Sequence, residues 1–104
     1  MPGVREQGLN RVITVHIRAF ARFRELFGDR FDLKVESPAT VRSVMHEIGR
    51  RNVQGITELL DHEGNVKKSV IIMVNRERIS GETRDDHPVS GEDEVALYPP
   101  VAGG

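Results

Sequence analysis

The residues best suited to chemistry in this sequence are its last four, Val101-Ala102-Gly103-Gly104. A carboxylate on a terminal glycine is small and unhindered, and it is ionised at neutral pH, so it is a poor electrophile until something activates it. Gly103 and Gly104 carry no side chains. They can thread a narrow channel and take backbone angles closed to other residues. Just before them, Pro99-Pro100 offers no ladder donors and favours an extended polyproline course, so any sheet must end there. At roughly 3.1–3.4 Å per residue, the six residues from Pro99 to Gly104 carry the chain end about 20 Å outward. Such a segment suits delivery of a carboxylate into another protein's active site.

The other candidates are weaker. His16, His46, His62 and His87 share no ligand spacing, so no metal site is expected from them. Asp61-His62-Glu63 has the residue types for acid–base work but reads as a polar loop, and Glu92-Asp93-Glu94 reads as a turn into a strand. There is no Gly-rich phosphate loop. Cysteine is absent, which rules out disulfides, thiolate metal sites and a cysteine nucleophile.

The chain's 104 residues fit one compact domain. With 38% hydrophobic and 30% charged residues it is neither disordered nor membrane-embedded in character. Its 15 basic and 16 acidic residues give no electrostatic footprint for nucleic acid. The longest apolar run, from Val70 to Val74, is far below the ~20 residues of a membrane span. No signal-like apolar stretch opens the sequence, and a cytoplasmic location is the expectation.

The elements that would position the tail follow from periodicity. Residues 1–11 read as a flexible extension, residues 12–98 as the domain and residues 99–104 as the extended tail. From Val12, Ile13, Val15, Ile17 and Ala19 alternate with Thr14, His16 and Arg18, as in a half-buried strand. Phe20, Phe23, Leu26 and Phe27 follow at helical spacing, with Gly28 as the stop. Phe31, Leu33 and Val35 would pair back on the first strand. Thr40 is placed to cap a helix in which Val41, Val44, Met45 and Ile48 form one apolar stripe. Burying each of these four is worth roughly 1.5–3 kcal/mol, which makes this helix the main lid on a sheet. Ile56 to Leu60 reads as a short helical turn and Asp61 to Ser69 as a loop. Val70 to Val74 reads as a central strand covered on most sides, Gly81 to Pro88 as a polar excursion, and Val95 to Tyr98 as the last strand. The order predicts an α+β, β-grasp (ubiquitin-like) mixed sheet with one principal helix packed across it and a flexible Gly-Gly tail.

The ending Asp93-Glu94-Val95-Ala96-Leu97-Tyr98-Pro99-Pro100-Val101-Ala102-Gly103-Gly104 resembles that of the small subunit of molybdopterin synthase. Phe20-Ala21-Arg22-Phe23-Arg24-Glu25-Leu26-Phe27-Gly28 and Val74-Asn75-Arg76-Glu77 resemble further segments of that family, so the similarity spans about Val12 to Gly104. The resemblance implies a sulfur carrier that is not itself an enzyme. A ubiquitin-activating-type partner would adenylate Gly104 with ATP and magnesium, and a donor would convert it to a thiocarboxylate. Docked on the synthase's large subunit, the tail would deliver that sulfur during molybdenum cofactor biosynthesis. No cofactor would be bound permanently. By position, Gly104 is the acceptor, Gly103 its threading neighbour, and Pro99, Pro100, Val101 and Ala102 line the partner's channel. Phe20 is a candidate partner contact and equally a candidate core residue.

Archaeal ubiquitin-like small modifiers also resemble this sequence, and that likeness implies an alternative, attachment of Gly104 to lysines of target proteins. A binding module with an idle tail is the third reading. The extension and the segments Gln54 to Ser69 and Gly81 to Pro88 look longer than the compact family pattern. This leaves open which activating enzyme and acceptor the chain serves.

Overall fold

A computed structural model describes residues 11–100. The elements run β1 (Arg11–Ala19), α1 (Arg22–Phe27), β2 (Arg30–Ser37), β3 (Ala39–Thr40), α2 (Val41–Gly49), α3 (Ile56–Leu59), β4 (Ile71–Val74), β5 (Glu77–Ile79), a 3-10 turn (Arg84–Asp86), β6 (Pro88–Val89) and β7 (Glu94–Tyr98). Five strands form one sheet in the order β2-β1-β7-β4-β5, and β3 and β6 form a small second ladder. β1 runs antiparallel to β2 and parallel to β7, and β4 is antiparallel to both β7 and β5. The sheet is therefore mixed, and the last strand lies at its centre.

Alternation in β1 and β2 puts Val15, Ile17, Ala19, Leu33 and Val35 on one buried face. α2 crosses that face. Val41, Val44, Met45 and Ile48 are each fully buried there, as the helical stripe requires. Thr40 starts the helix: its Oγ1 accepts from the Ser43 N–H at 3.2 Å while Ser43 Oγ accepts from the Thr40 N–H at 2.8 Å. This is a reciprocal cap with serine in the place usually taken by a carboxylate or amide. Phe23 and Phe27 of α1 complete the core, and Gly28 ends that helix at φ 113°, a backbone angle suited to glycine.

The structure departs from the sequence pattern at several points. Arg11, assigned to the extension, is already strand and pairs with Ser37; residues 1–10 lie outside the described region. The apolar run from Val70 to Val74, expected to be covered on most sides, is covered on one: Val70, Ile72 and Val74 are buried while Ile71 and Met73 are half-buried. No layer among the described residues covers the sheet face opposite α2. β5 was not anticipated, because Glu77-Arg78-Ile79 is short and polar. Asn75 and Arg76, at φ 51° and 71°, form the two-residue hairpin turn that creates it. Such turns usually announce themselves with glycine at one of these positions.

The polar excursion is more ordered than its composition suggests. Arg84 is buried, with Nη1 donating to the Val70 carbonyl at 2.7 Å and Nη2 to those of Val66 and Lys67 at 3.0 and 3.1 Å. Asp85 neutralises the guanidinium at 3.1 Å and accepts from the Val66 N–H. One arginine thus stitches the long 61–70 loop to the segment before β6 through three of its carbonyls.

Candidate functional site

β7 leaves the sheet from its middle, between β1 and β4, and hands directly to Pro99 and Pro100. Pro99 is half-buried and Pro100 exposed, and neither belongs to a strand, as the missing amide donors require. Val101, Ala102, Gly103 and Gly104 lie outside the described residues. The structure therefore defines the base of the tail, and that base has a distinct surround.

Phe20 is half-buried and follows β1; its N–H donates to the Leu97 carbonyl at 3.2 Å. Its ring lies on that of Tyr98, with centroids 4.3 Å apart and planes 6° from parallel. The Arg18 guanidinium lies 5.0 Å from the Phe20 centroid, within reach of a cation–π attraction. Phe20 is thus neither simply core nor simply surface. It forms half of an aromatic pair at the root of the tail.

Strand register extends this pair into a patch. β1 sets Arg18 beside Ala96, and β4 sets Met73 beside Ala96 and Ile71 beside Tyr98. Arg30 lies opposite Arg18 on β2, and Arg78 opposite Met73 on β5. On the open face, then, Phe20, Tyr98, Ile71, Met73 and Ala96 form an apolar strip with Arg18, Arg30 and Arg78 along it. None of these three arginines has a carboxylate partner among the described residues, and Arg18 Nε is buried without a hydrogen-bond partner.

The next rank along the same face is acidic. His16 Nδ1 lies 2.8 Å from Asp32 Oδ1, and Nε2 lies 2.7 Å from Glu92 Oε1. The hydrogen bond to Glu92, then that to Asp32, hold the imidazolium form and raise the His16 pKa above its ordinary value. This ties β2 through β1 to the turn before β7.

The remaining candidates are engaged in local structure. Asp61 Oδ1 accepts from the Glu63 and Asn65 amides, and His46 Nε2 lies 2.7 Å from the Gly64 carbonyl. Asp93 accepts from Ser90 N and Asn75 Nδ2, fixing the turn that Glu92-Asp93-Glu94 was expected to make. His62 is exposed and His87 half-buried. No cluster of three or more His, Cys, Asp or Glu side chains that could hold a metal is found among the described residues. An open groove of about 780 Å³ lies between the 61–70 loop and the segment before the 3-10 turn. Its charges are of both signs and already partly paired, as in Arg84–Asp85 at 3.1 Å. Among the described residues no helix is long and apolar enough to cross a membrane.

Sequence reasoning singled out Phe20 and the two prolines but missed Tyr98, Arg18 and the strip they border. The signal was present only in register, since Phe20 and Tyr98 come together through a parallel pairing of strands far apart in sequence.

This architecture is that of the ubiquitin-like β-grasp proteins. The crystal structure of small archaeal modifier protein 1 from Haloferax volcanii superposes with a TM-score of 0.73 at 20% identity, covering 86% of this chain and 99% of that one. A putative molybdopterin converting factor, subunit 1, from Pyrococcus furiosus superposes with a TM-score of 0.68 at 29% identity, covering 86% and 99%. In sequence, small archaeal modifier protein 3 from Haloferax volcanii is 30% identical over 91 residues, 86% of this chain and 98% of the relative. Residues 17–104 match the ThiS family, and the chain belongs to that family. It is thus a member of a group of ubiquitin-like sulfur carriers and small protein modifiers.

Proposed function

We propose that this chain carries sulfur on Gly104 and delivers it, as the small subunit of a molybdopterin synthase, to a pterin precursor. The carboxylate oxygen of Gly104 attacks the α-phosphorus of ATP on an activating enzyme, and magnesium pyrophosphate leaves. Hydrosulfide-level sulfur then attacks the acyl carbon and AMP leaves, giving a thiocarboxylate with release of a proton. The protein's own contribution is reach and docking: Pro99 and Pro100 end the sheet and direct the tail away from it, and the glycines fit a channel. The apolar strip around Phe20 and Tyr98 provides the contact for the partner that receives the tail, with Arg18, Arg30 and Arg78 free to meet its carboxylates.

The observation that carries this reading is the exit of the central strand through Pro99-Pro100 beside an apolar, arginine-bordered face. Likeness to the putative converting-factor subunit from Pyrococcus furiosus favours the molybdopterin assignment. The similarity to small archaeal modifier protein 3 favours a second reading, in which the same adenylate is passed to a lysine amine of a target protein. Intact mass spectrometry of the protein from its own host separates them. One oxygen replaced by sulfur at the terminus supports the carrier, whereas glycyl isopeptides on other proteins, with no thiocarboxylate, overturn it.

A further inference from the structure

The edge strand β2 has a property that tail delivery does not use. It is eight residues long, and among the described residues nothing pairs with its outer side. Long bare edges invite pairing with other chains, and proteins commonly blunt them with charge. Here the charges alternate in sign along the open face: Arg30, Asp32, Lys34, Glu36. All four residues are exposed.

The backbone of these same residues faces outward. His16 N–H donates to Asp93 O at 2.8 Å and Phe20 N–H to Leu97 O at 3.2 Å, so the even-numbered amides of β1 point to β7. The odd-numbered ones point to β2, as the Ala19 N–H to Asp29 O bond of 2.9 Å confirms. In the antiparallel register Val15↔Leu33 and Ile17↔Phe31, the odd residues of β2 face inward. The N–H and C=O groups of Arg30, Asp32, Lys34 and Glu36 are then left at the free edge.

We propose that β2 is a self-complementary dimer edge that pairs antiparallel with β2 of a second copy about a two-fold axis at Leu33. In that register Arg30 meets Glu36 of the second copy, and Asp32 meets Lys34, each as a hydrogen-bonded pair with opposite charges side by side. Leu33 meets its own copy, and Phe31 meets Val35, on the face that α2 covers. In-register parallel pairing sets like charge on like, and slipping the antiparallel register by two residues does the same. All four residues find an opposite charge only in the two-fold register. An isologous contact of this kind closes on itself and joins two five-stranded sheets into one. β1 separates β7 from the contact, and the two copies of β7 end pointing in opposite directions, so Phe20, Tyr98, Arg18 and Arg78 stay clear of the dimer edge even though Arg30 is taken up by it.

The test is sedimentation equilibrium of the full chain from micromolar to millimolar concentration, on the parent, Asp32→Lys, and the exchange Asp32→Lys with Lys34→Asp. Melting curves on each confirm that it is folded. The parent should reach dimer mass with rising concentration. Asp32→Lys, which sets lysine against lysine twice, should shift that curve at least tenfold toward monomer. The double exchange restores opposite pairs and should recover dimer. Because His16 loses Asp32 in both variants, recovery separates the edge from that internal bond. A parent that stays monomeric throughout, a single variant that dimerises like the parent, or a double exchange that fails to recover overturns the proposal.

Discussion

The two faces of one sheet obey different rules. On β1, Val15, Ile17 and Ala19 point to α2 and are buried, whereas Thr14, His16 and Arg18 point the other way and remain partly exposed. The covered face is packed mainly by apolar side chains from β1, β2 and α2. On the open face the apolar strip of Phe20, Tyr98, Ile71, Met73 and Ala96 has arginines along it that find no carboxylate partner among the described residues, and the His16 bridge at one end. A strand buried on one side for folding is thus left half-finished on the other. The unfinished side surrounds the base of the tail, where the proposed function has a partner approach.

The strongest challenge to this contrast lies on the covered face. Val44→Asp replaces a fully buried methyl-bearing side chain with an unpaired carboxylate and should cost about 3–5 kcal/mol, enough to remove or severely lower the melting transition. A thermal melt like the parent's would mean that α2 does not cover this face.

A smaller change should separate the faces more sharply. Phe20→Ala removes one ring of the aromatic pair and should lower stability by only about 1 kcal/mol, because the ring is half-buried. Affinity for the activating enzyme should fall by roughly tenfold or more, as for an aromatic anchor within an interface. A stability loss with unchanged affinity would return Phe20 to the core.

The smallest effect concerns His16. Its pKa is raised in the folded protein, first by Glu92 and then by Asp32. The added stability is therefore fully present below the unfolded value of about 6.5 and is lost as pH rises through the higher folded value. Melting of the parent should fall slightly across that window relative to His16→Ala. Parallel pH profiles for the two proteins would show that the bridge contributes nothing.

Much of the covered face was legible in sequence because it is periodic. The alternation from Ile13 to Ala19, the Thr40 cap and the stripe from Val41 to Ile48 each follow from local geometry. β5 was hidden because Asn75-Arg76 makes its hairpin turn without glycine. The Arg84 clip was hidden because a buried arginine in a polar stretch looks like any surface arginine. For the site, Pro99-Pro100 marked the exit plainly. Tyr98, Arg18 and Met73 could not be assigned to one patch until the parallel β1–β7 register was known, since no local pattern encodes a pairing between residues nearly eighty positions apart. The β3–β6 ladder, two residues on each side, leaves no periodic trace at all.

The central claim is that the chain end, not the body, is the reactive group. Deleting Gly103 and Gly104 moves the carboxylate back by about 7 Å to Ala102 while leaving β7 and its core contacts in place. The direct measurement is ATP–pyrophosphate exchange by the cognate activating enzyme on parent and truncated proteins, with a melting curve beside it. The account predicts an unchanged melt and at least about a 100-fold loss of exchange, since a misplacement of ~1 Å alone can cost that much. Equal exchange by both proteins would contradict it.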